Sequence, residues 1–384
     1  MKNPFHVMLI PTLNCPARCS YCWSSEHGSP VMNVDTVREV VTWLRDFGED
    51  RVTFTFHGGE PLLAGPDFYR EALPLLSGEL SHMKPDFAMQ TNLWLMTPEL
   101  AEILAEYHVP LGSSIDGPEM LNDSQRGNGY FRKTMKGHDV ARSGGVRVSF
   151  ICTFTASSAS QKTEIVRFFR DRGFVMKLHP ALPSLRNANP EPWVLSPEDY
   201  GELLVFLLDH ALEHPGDPEI MNITDLLKCV FTRRGTVCTF ADCVGSTFAI
   251  GPDGSIYPCY RFVGMPEWVM GSVNDHPDRT SLMGSEAGRR ISGFREIVDN
   301  KACKECRHLR YCRGGCPYNA LVPSEGEMTG IDPYCTAYQR IFDEISDRLN
   351  REMEENSAID IMPFPGQKGK GQKPAIMSLM RRMI

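Results

Sequence analysis

Phe5-His-Val-Met-Leu-Ile10 is followed, after four residues, by Cys15-Pro-Ala-Arg-Cys19-Ser-Tyr-Cys22. The first run reads as a buried strand, so three cysteines spaced C-x3-C-x2-C stand on the loop that leaves it. A cubane iron–sulfur cluster has four iron corners, each wanting a thiolate. Three cysteines on one loop hold three corners and leave the fourth iron open for a ligand, the same logic that separates open catalytic metal sites from closed structural ones. By itself the triplet also suits a structural zinc loop completed by a distant Cys or His.

Downstream, strand-like and helix-like segments alternate. Strands are predicted over 52–56, 87–91, 109–115, 146–153 and 174–178, and helices over 34–47, 68–76, 98–107, 132–142 and 162–172, with a Gly-rich loop at Arg126–Gly129. A helix beginning near Ser196 completes the sixth β-then-α step. Such alternation implies a parallel sheet with crossover helices, and in these folds the chemistry sits at the C-terminal ends of the strands. Further helices are expected over 196–214, 223–233 and 333–353, and Ser255–Tyr260 reads as the second arm of a hairpin after Asp253-Gly254.

The 384 residues suit two to three domains at ~150 residues each. Apolar residues make up 42% and charged residues 23%, which excludes wholesale disorder. The net charge of −8 argues against a nucleic-acid-gripping surface. No apolar run approaches the ~18 residues of a membrane span, and no secretory signal is evident, so a cytoplasmic enzyme without a membrane or nucleic-acid partner is expected. Thirteen cysteines then need an explanation, because disulfides are disfavoured in that compartment. Three form the N-terminal group, eight fall between 238 and 335, and Cys152 and Cys229 stand apart. Cys152, in an apolar strand, reads as a small buried hydrophobe.

Each strand end carries polar groups. His57-Gly58-Gly59-Glu60-Pro61 follows the second strand, where glycines allow close backbone approach and Glu60 offers a carboxylate. Gln90-Thr91-Asn92 ends the third. Ser113-Ser114-Ile115-Asp116-Gly117-Pro118 ends the fourth, with Ser114 and Asp116 one strand period apart; Asp123 and Arg126 follow.

With Tyr21 directly before Cys22, the triplet resembles the cluster loop of the radical S-adenosylmethionine (radical SAM) enzymes. The resemblance implies a partial (β/α)6 barrel. It further implies that the amino and carboxylate groups of S-adenosylmethionine chelate the open iron, and that one-electron reduction releases a 5′-deoxyadenosyl radical that abstracts a substrate hydrogen. His57–Pro61 resembles the family's Gly-Gly-Glu motif, which takes the methionine amino group; Gln90-Thr91-Asn92 resembles a family segment whose next residue is usually Gly, here Leu93. Cofactor contacts are thereby assigned to Tyr21, Gly58, Gly59, Glu60, Asn92, Ser114, Asp116 and Arg126. Asp116 and Arg126 also have plainer readings, as a turn cap and a loop arginine.

The remaining cysteines, Cys238, Cys243, Gly254-x4-Cys259 and Cys303-x2-Cys306-x5-Cys312-x3-Cys316 with Cys335, resemble the SPASM extension of these enzymes. That resemblance implies two auxiliary [4Fe–4S] clusters, one on Cys238, Cys243, Cys259 and Cys316 and one on Cys303, Cys306, Cys312 and Cys335. With Cys15, Cys19 and Cys22 the chain would carry three clusters. The expected organisation is a barrel over 1–195, a helical linker over 196–237, a SPASM domain over 238–350 and a C-terminal tail over 351–384 that is basic from Pro365 onward.

The layout resembles the anaerobic sulfatase-maturating enzymes, which carry a candidate catalytic Asp directly after the cysteine of the G-x4-C motif. Tyr260 stands there in this chain. A phenol is a poor base at neutral pH and is read as a proton or electron relay. The expectation is therefore a peptide- or protein-modifying oxidoreductase, with maturation of a ribosomally made peptide placed ahead of sulfatase maturation and with a ferredoxin or flavodoxin as donor. An iron–sulfur electron carrier is the reading from another class.

Overall fold

A computed structural model describes residues 5–22, 28–186 and 191–360, with side chains to 354. The first half alternates as β1 (Phe5–Leu9), α1 (Val34–Arg45), β2 (Val52–Phe56), α2 (Gly65–Glu79), β3 (Asp86–Gln90), α3 (Pro98–Glu106), β4 (Leu111–Ser114), α4 (Glu119–Arg126), α5 (Tyr130–Ser143), β5 (Val148–Phe154), α6 (Lys162–Arg172) and β6 (Met176–Pro180). These six strands pair in parallel in the order 6-5-4-3-2-1. β6 ends the sheet, so the barrel stays open, as a partial (β/α)6 barrel does.

Strand alternation divides the two faces. Phe5, Val7 and Leu9 of β1 and Val52, Phe54 and Phe56 of β2 are buried under the helices. His6, Met8, Thr53 and Thr55 point to the other face, where His6 Nε2 lies 2.9 Å from Thr55 Oγ1. On β6, Met176 and Leu178 join the outer core while Lys177 and His179 face inward. The chamber is thus lined by polar side chains. Cys152 is fully buried in the second core cluster, as read from its strand.

The second half contributes α7 (Pro197–Glu213), α8 (Met221–Thr232), β7 (Thr247–Ile250), β8 (Ser255–Tyr257), β9 (Gly271–Ser272), α9 (Arg279–Gly284), α10 (Glu286–Ile297), α11 (Leu309–Cys312), α12 (Pro317–Leu321) and α13 (Cys335–Asp360). The expected hairpin is present as β7–β8. Its place was not expected: β7 pairs in parallel with β1, so the cysteine-rich half extends the barrel sheet itself. This pairing covers the edge of β1, which the open barrel would otherwise leave with unpaired backbone groups. Ile341, Phe342 and Ile345 of α13 are buried in one cluster with Leu204 and Leu207 of α7 and Leu227 of α8. α13 runs past position 350, where the tail was expected to begin; residues 361–384 lie outside the described residues. Among the described residues no helix is long and apolar enough to cross a membrane.

One boundary needs correction. Arg126 was placed in a Gly-rich loop, but it is the last residue of α4. That helix buries Leu121, Asn122, Gln125 and Arg126, so its inner face is mostly polar and shows no apolar period to recognise.

Candidate active site

The cysteine loop is held from three sides. Gly59 N donates to Thr12 O at 3.0 Å and Glu60 N to Asn14 O at 2.8 Å, tying the β2 loop to the chain entering Cys15. A Cβ on Gly59 would fall 2.2 Å from Asn14 O and 2.4 Å from Leu13 O, both backbone atoms, so only glycine permits this approach. From β3, Asn92 Nδ2 reaches Cys15 Sγ at 3.7 Å. From α4, Gln125 O accepts from both Ser20 N at 2.8 Å and Ser20 Oγ at 3.0 Å.

Glu60 is fully buried and its carboxylate is committed to the protein. It accepts from Leu62 N at 3.0 Å, Thr91 Oγ1 at 2.6 Å and Asn92 N at 2.7 Å. Burial pushes its carboxyl up to about 7 against those three bonds. Its side chain therefore joins the β2 loop to the β3 loop. Leu93, where the resemblance leads one to expect Gly, is fully buried with φ +66°. The left-handed backbone is kept, at a cost of roughly 1–2 kcal/mol for a residue with a Cβ.

Asp116 is a second buried hub. Its Oδ1 accepts from Arg126 Nη2 at 2.7 Å and Thr153 N at 2.8 Å. Its Oδ2 accepts from Tyr21 OH at 2.9 Å, Gln125 Nε2 at 2.8 Å and Arg126 Nε at 2.9 Å. The Arg126 guanidinium also lies over the rings of Tyr21 and Tyr130 at 5.3 and 5.2 Å. Both carboxylate oxygens are thus engaged with protein donors, and the pair fixes Tyr21 between Cys19 and Cys22. Ser114 Oγ, half-buried, lies 3.4 Å from Gln90 Nε2.

The thiols of Cys15, Cys19 and Cys22 lie within electrostatic reach of one another. Burial pushes Cys15 up to about 12 and Cys19 up to about 11, the latter opposed by Arg126. In the second half, Cys243 lies within reach of Cys238, Cys316 and Cys259, and Cys312 within reach of Cys335, Cys303 and Cys306. All thirteen cysteines are free thiols. Three thiols beside a polar chamber and two all-thiol sets of four fit iron–sulfur clusters by donor chemistry, because iron charge favours the thiolates that burial disfavours. Among the described residues no three His, Cys, Asp or Glu side chains are arranged around a single metal ion.

The first set of four reaches the chamber. Tyr260, next to Cys259, lies against His57 with ring centroids 4.2 Å apart, and burial pushes its phenol upward. Arg261 donates to Asn319 Oδ1 at 2.5 Å and Pro183 O at 3.1 Å and covers the Tyr318 ring at 3.7 Å. Lys177 and Arg261 both act on Cys238.

Residues 9–168 match the radical SAM superfamily, and residues 238–313 match the SPASM iron–sulfur cluster-binding domain. An uncharacterized protein of Methanothermobacter thermautotrophicus is 57% identical over 231 residues, 60% of this chain and 88% of that protein. The chain belongs to the radical SAM enzymes and carries a SPASM domain. This radical SAM enzyme is related end to end to anaerobic sulfatase-maturating enzymes. The cysteine-type enzyme of Clostridium perfringens is 22% identical, covering 90% of this chain and 97% of that protein. The serine-type enzyme of Bacteroides thetaiotaomicron is 25% identical, covering 93% and 94%. A solved structure of anSMEcpe with bound AdoMet and Cp18Cys peptide shares the fold, with a TM-score of 0.79, 24% identity, and coverage of 91% and 99%.

Histidines were not assigned site roles from the sequence, yet three line this enzyme's chamber. Burial holds His6 and His57 down to about 4. His57 Nδ1 accepts from Gly58 N at 2.7 Å, which leaves Nε2 to carry the proton of the neutral ring. A histidine held below its ordinary 6.5 stays neutral when folded while the unfolded chain takes up a proton, so stability falls as pH drops from about 6.5 towards 4. Glu60, raised to about 7, has the opposite sign but is one group against two. The urea midpoint of cluster-free protein should therefore be lower at pH 5 than at pH 7, with a flatter profile for His57→Gln; an identical slope in that variant would remove His57 as a contributor.

Proposed function

We propose that this radical SAM/SPASM enzyme abstracts a hydrogen atom from a residue of a ribosomally made peptide or protein and converts that residue to a crosslinked or oxidised product. The contact between Tyr260 and His57 carries this reading, because it brings the first set of four SPASM cysteines to the wall of the barrel chamber. S-adenosylmethionine bound at a cluster on Cys15, Cys19 and Cys22 would supply the hydrogen-abstracting radical. The chain's own residues do the rest. The Gly58–Gly59 backbone and Asn92 shape the cofactor cradle, Ser114 faces it, and Glu60, Asp116 and Arg126 hold that cradle rigid. Cys238, Cys243, Cys259 and Cys316 would hold an acceptor for the electron left on the substrate; Cys303, Cys306, Cys312 and Cys335 would hold the next, towards a donor or acceptor of the ferredoxin or flavodoxin class. Loss of a hydrogen atom, an electron and a proton amounts to a two-electron oxidation of the substrate.

Sulfatase maturation is the second reading, favoured by the end-to-end likeness to both cysteine-type and serine-type enzymes. Tyr260 is the residue that separates the two, since its buried phenol is no base at neutral pH. Anaerobic incubation with S-adenosylmethionine, a reductant and either a sulfatase-motif peptide or the short peptides encoded beside this gene decides between them. Dehydrogenation or crosslinking of a gene-neighbour peptide supports the first reading, and an aldehyde on the sulfatase peptide supports the second. Modification of neither peptide class, with 5′-deoxyadenosine still released, rejects both.

Two further outcomes are expected. Anaerobically reconstituted protein should hold about twelve irons, four for each of three cubanes; about four irons would remove the auxiliary clusters. As a relay that passes a proton on while its phenol stays neutral, Tyr260 should be needed for product but not for cofactor cleavage: Tyr260→Phe should keep 5′-deoxyadenosine release but lower modified peptide by about 10²-fold. Full product formation by that variant would show that the phenol is packing only.

A further inference from the structure

The two sets of four SPASM cysteines interleave along the chain: Cys316 of the first lies between Cys312 and Cys335 of the second. Asp332 sits where they cross. It is fully buried. Its Oδ2 accepts from Cys316 N at 2.9 Å, Asn319 Nδ2 at 2.9 Å and Tyr338 OH at 3.0 Å, and its Oδ1 from Tyr334 N at 2.9 Å. Its backbone joins the same segments, with Asp332 N donating to Gly314 O at 3.2 Å and Asp332 O accepting from Cys335 N at 3.1 Å. The loop between Cys312 and Cys316 is wrapped onto this residue: Gly315 has φ +83°, and a Cβ there would fall 2.4 Å from the Asp332 Cβ. The carboxylate acts electrostatically on Cys316 of one set and Cys335 of the other. Through Asn319 it also reaches Arg261, beside Tyr260 at the chamber wall.

We propose that Asp332 is a shared positioning residue for both auxiliary clusters, placing Cys316 through its carboxylate and Cys335 through its backbone carbonyl. This rests on the cluster content proposed above. Every polar atom that contacts the carboxylate is a donor, so its two oxygens fix four segments in one arrangement. These hydrogen bonds stay within the cysteine-rich half, away from the Cys15–Cys22 loop, so the cluster there is left in place.

The test uses full-length protein, reconstituted without oxygen, as wild type, Asp332→Asn and Asp332→Glu, with iron counted and each cluster titrated by redox potentiometry with electron paramagnetic resonance. In Asp332→Asn, which sets an amide where Cys316 N and Asn319 Nδ2 need acceptors, both auxiliary midpoint potentials should shift while the third stays in place. If the asparagine variant instead loses iron, the count should fall from about twelve to about four, because both sets fail together, and should recover in Asp332→Glu. A shift of one auxiliary potential only, no shift at all, or a fall to about eight irons overturns the proposal. About four irons in the wild type would overturn the cluster reading itself, and would be seen before any variant is made.

Discussion

Cys19→Ala should abolish reductive cleavage of S-adenosylmethionine, with 5′-deoxyadenosine release falling by at least about three orders of magnitude, to background. The proposed cluster depends on three thiols from one loop, and removing one leaves two corners without protein ligands. The loop is anchored by protein contacts on both sides of Cys19: Ser20 on Gln125, Tyr21 on Asp116 and Asn92 on Cys15. The alanine variant should therefore fold with an unchanged urea midpoint when both proteins are cluster-free, which separates lost chemistry from lost structure. Cleavage at the wild-type rate in this variant would show that the open iron corner lies elsewhere.

Asp116→Ala should cost about 3–5 kcal/mol of stability, the scale for breaking a buried ion pair by removing one partner. Arg126 keeps its charge with only 5% of its surface exposed, and Tyr21 OH, Gln125 Nε2 and Thr153 N lose their acceptor. Urea denaturation of cluster-free protein reads the loss directly. A cost below about 1 kcal/mol, typical of an exposed pair, would mean that the network is relaxed in solution. The same variant should incorporate less iron at the N-terminal loop, because Tyr21 lies between two of its cysteines.

The barrel was readable because its outer face obeys simple periods. Strand Val52–Phe56 and helix Lys162–Arg172 stand where apolar alternation and helical spacing put them. The pattern failed where function replaced apolar packing. α4 buries Asn122, Gln125 and Arg126, so its inner face carries polar hydrogen-bonding groups and no apolar stripe. Leu93 kept the left-handed turn of the glycine expected there, which spacing cannot reveal because the penalty for a Cβ is small beside the packing of a fully buried leucine.

The chain's own order of residues determined the family, the parallel β/α alternation and the presence of cysteines in groups of three and eight, because each of these rests on short-range spacing. Tertiary structure alone decided which protein groups the strand-end carboxylates touch. Glu60 and Asp116 carry carboxylates at strand ends, yet both spend them on protein donors. It also decided that β7 joins β1, that Tyr260 meets His57 and that Asp332 stands between Cys316 and Cys335. Those contacts join residues far apart in the chain, and their strength comes from burial that exists only once the sheet and the cysteine-rich half have packed together.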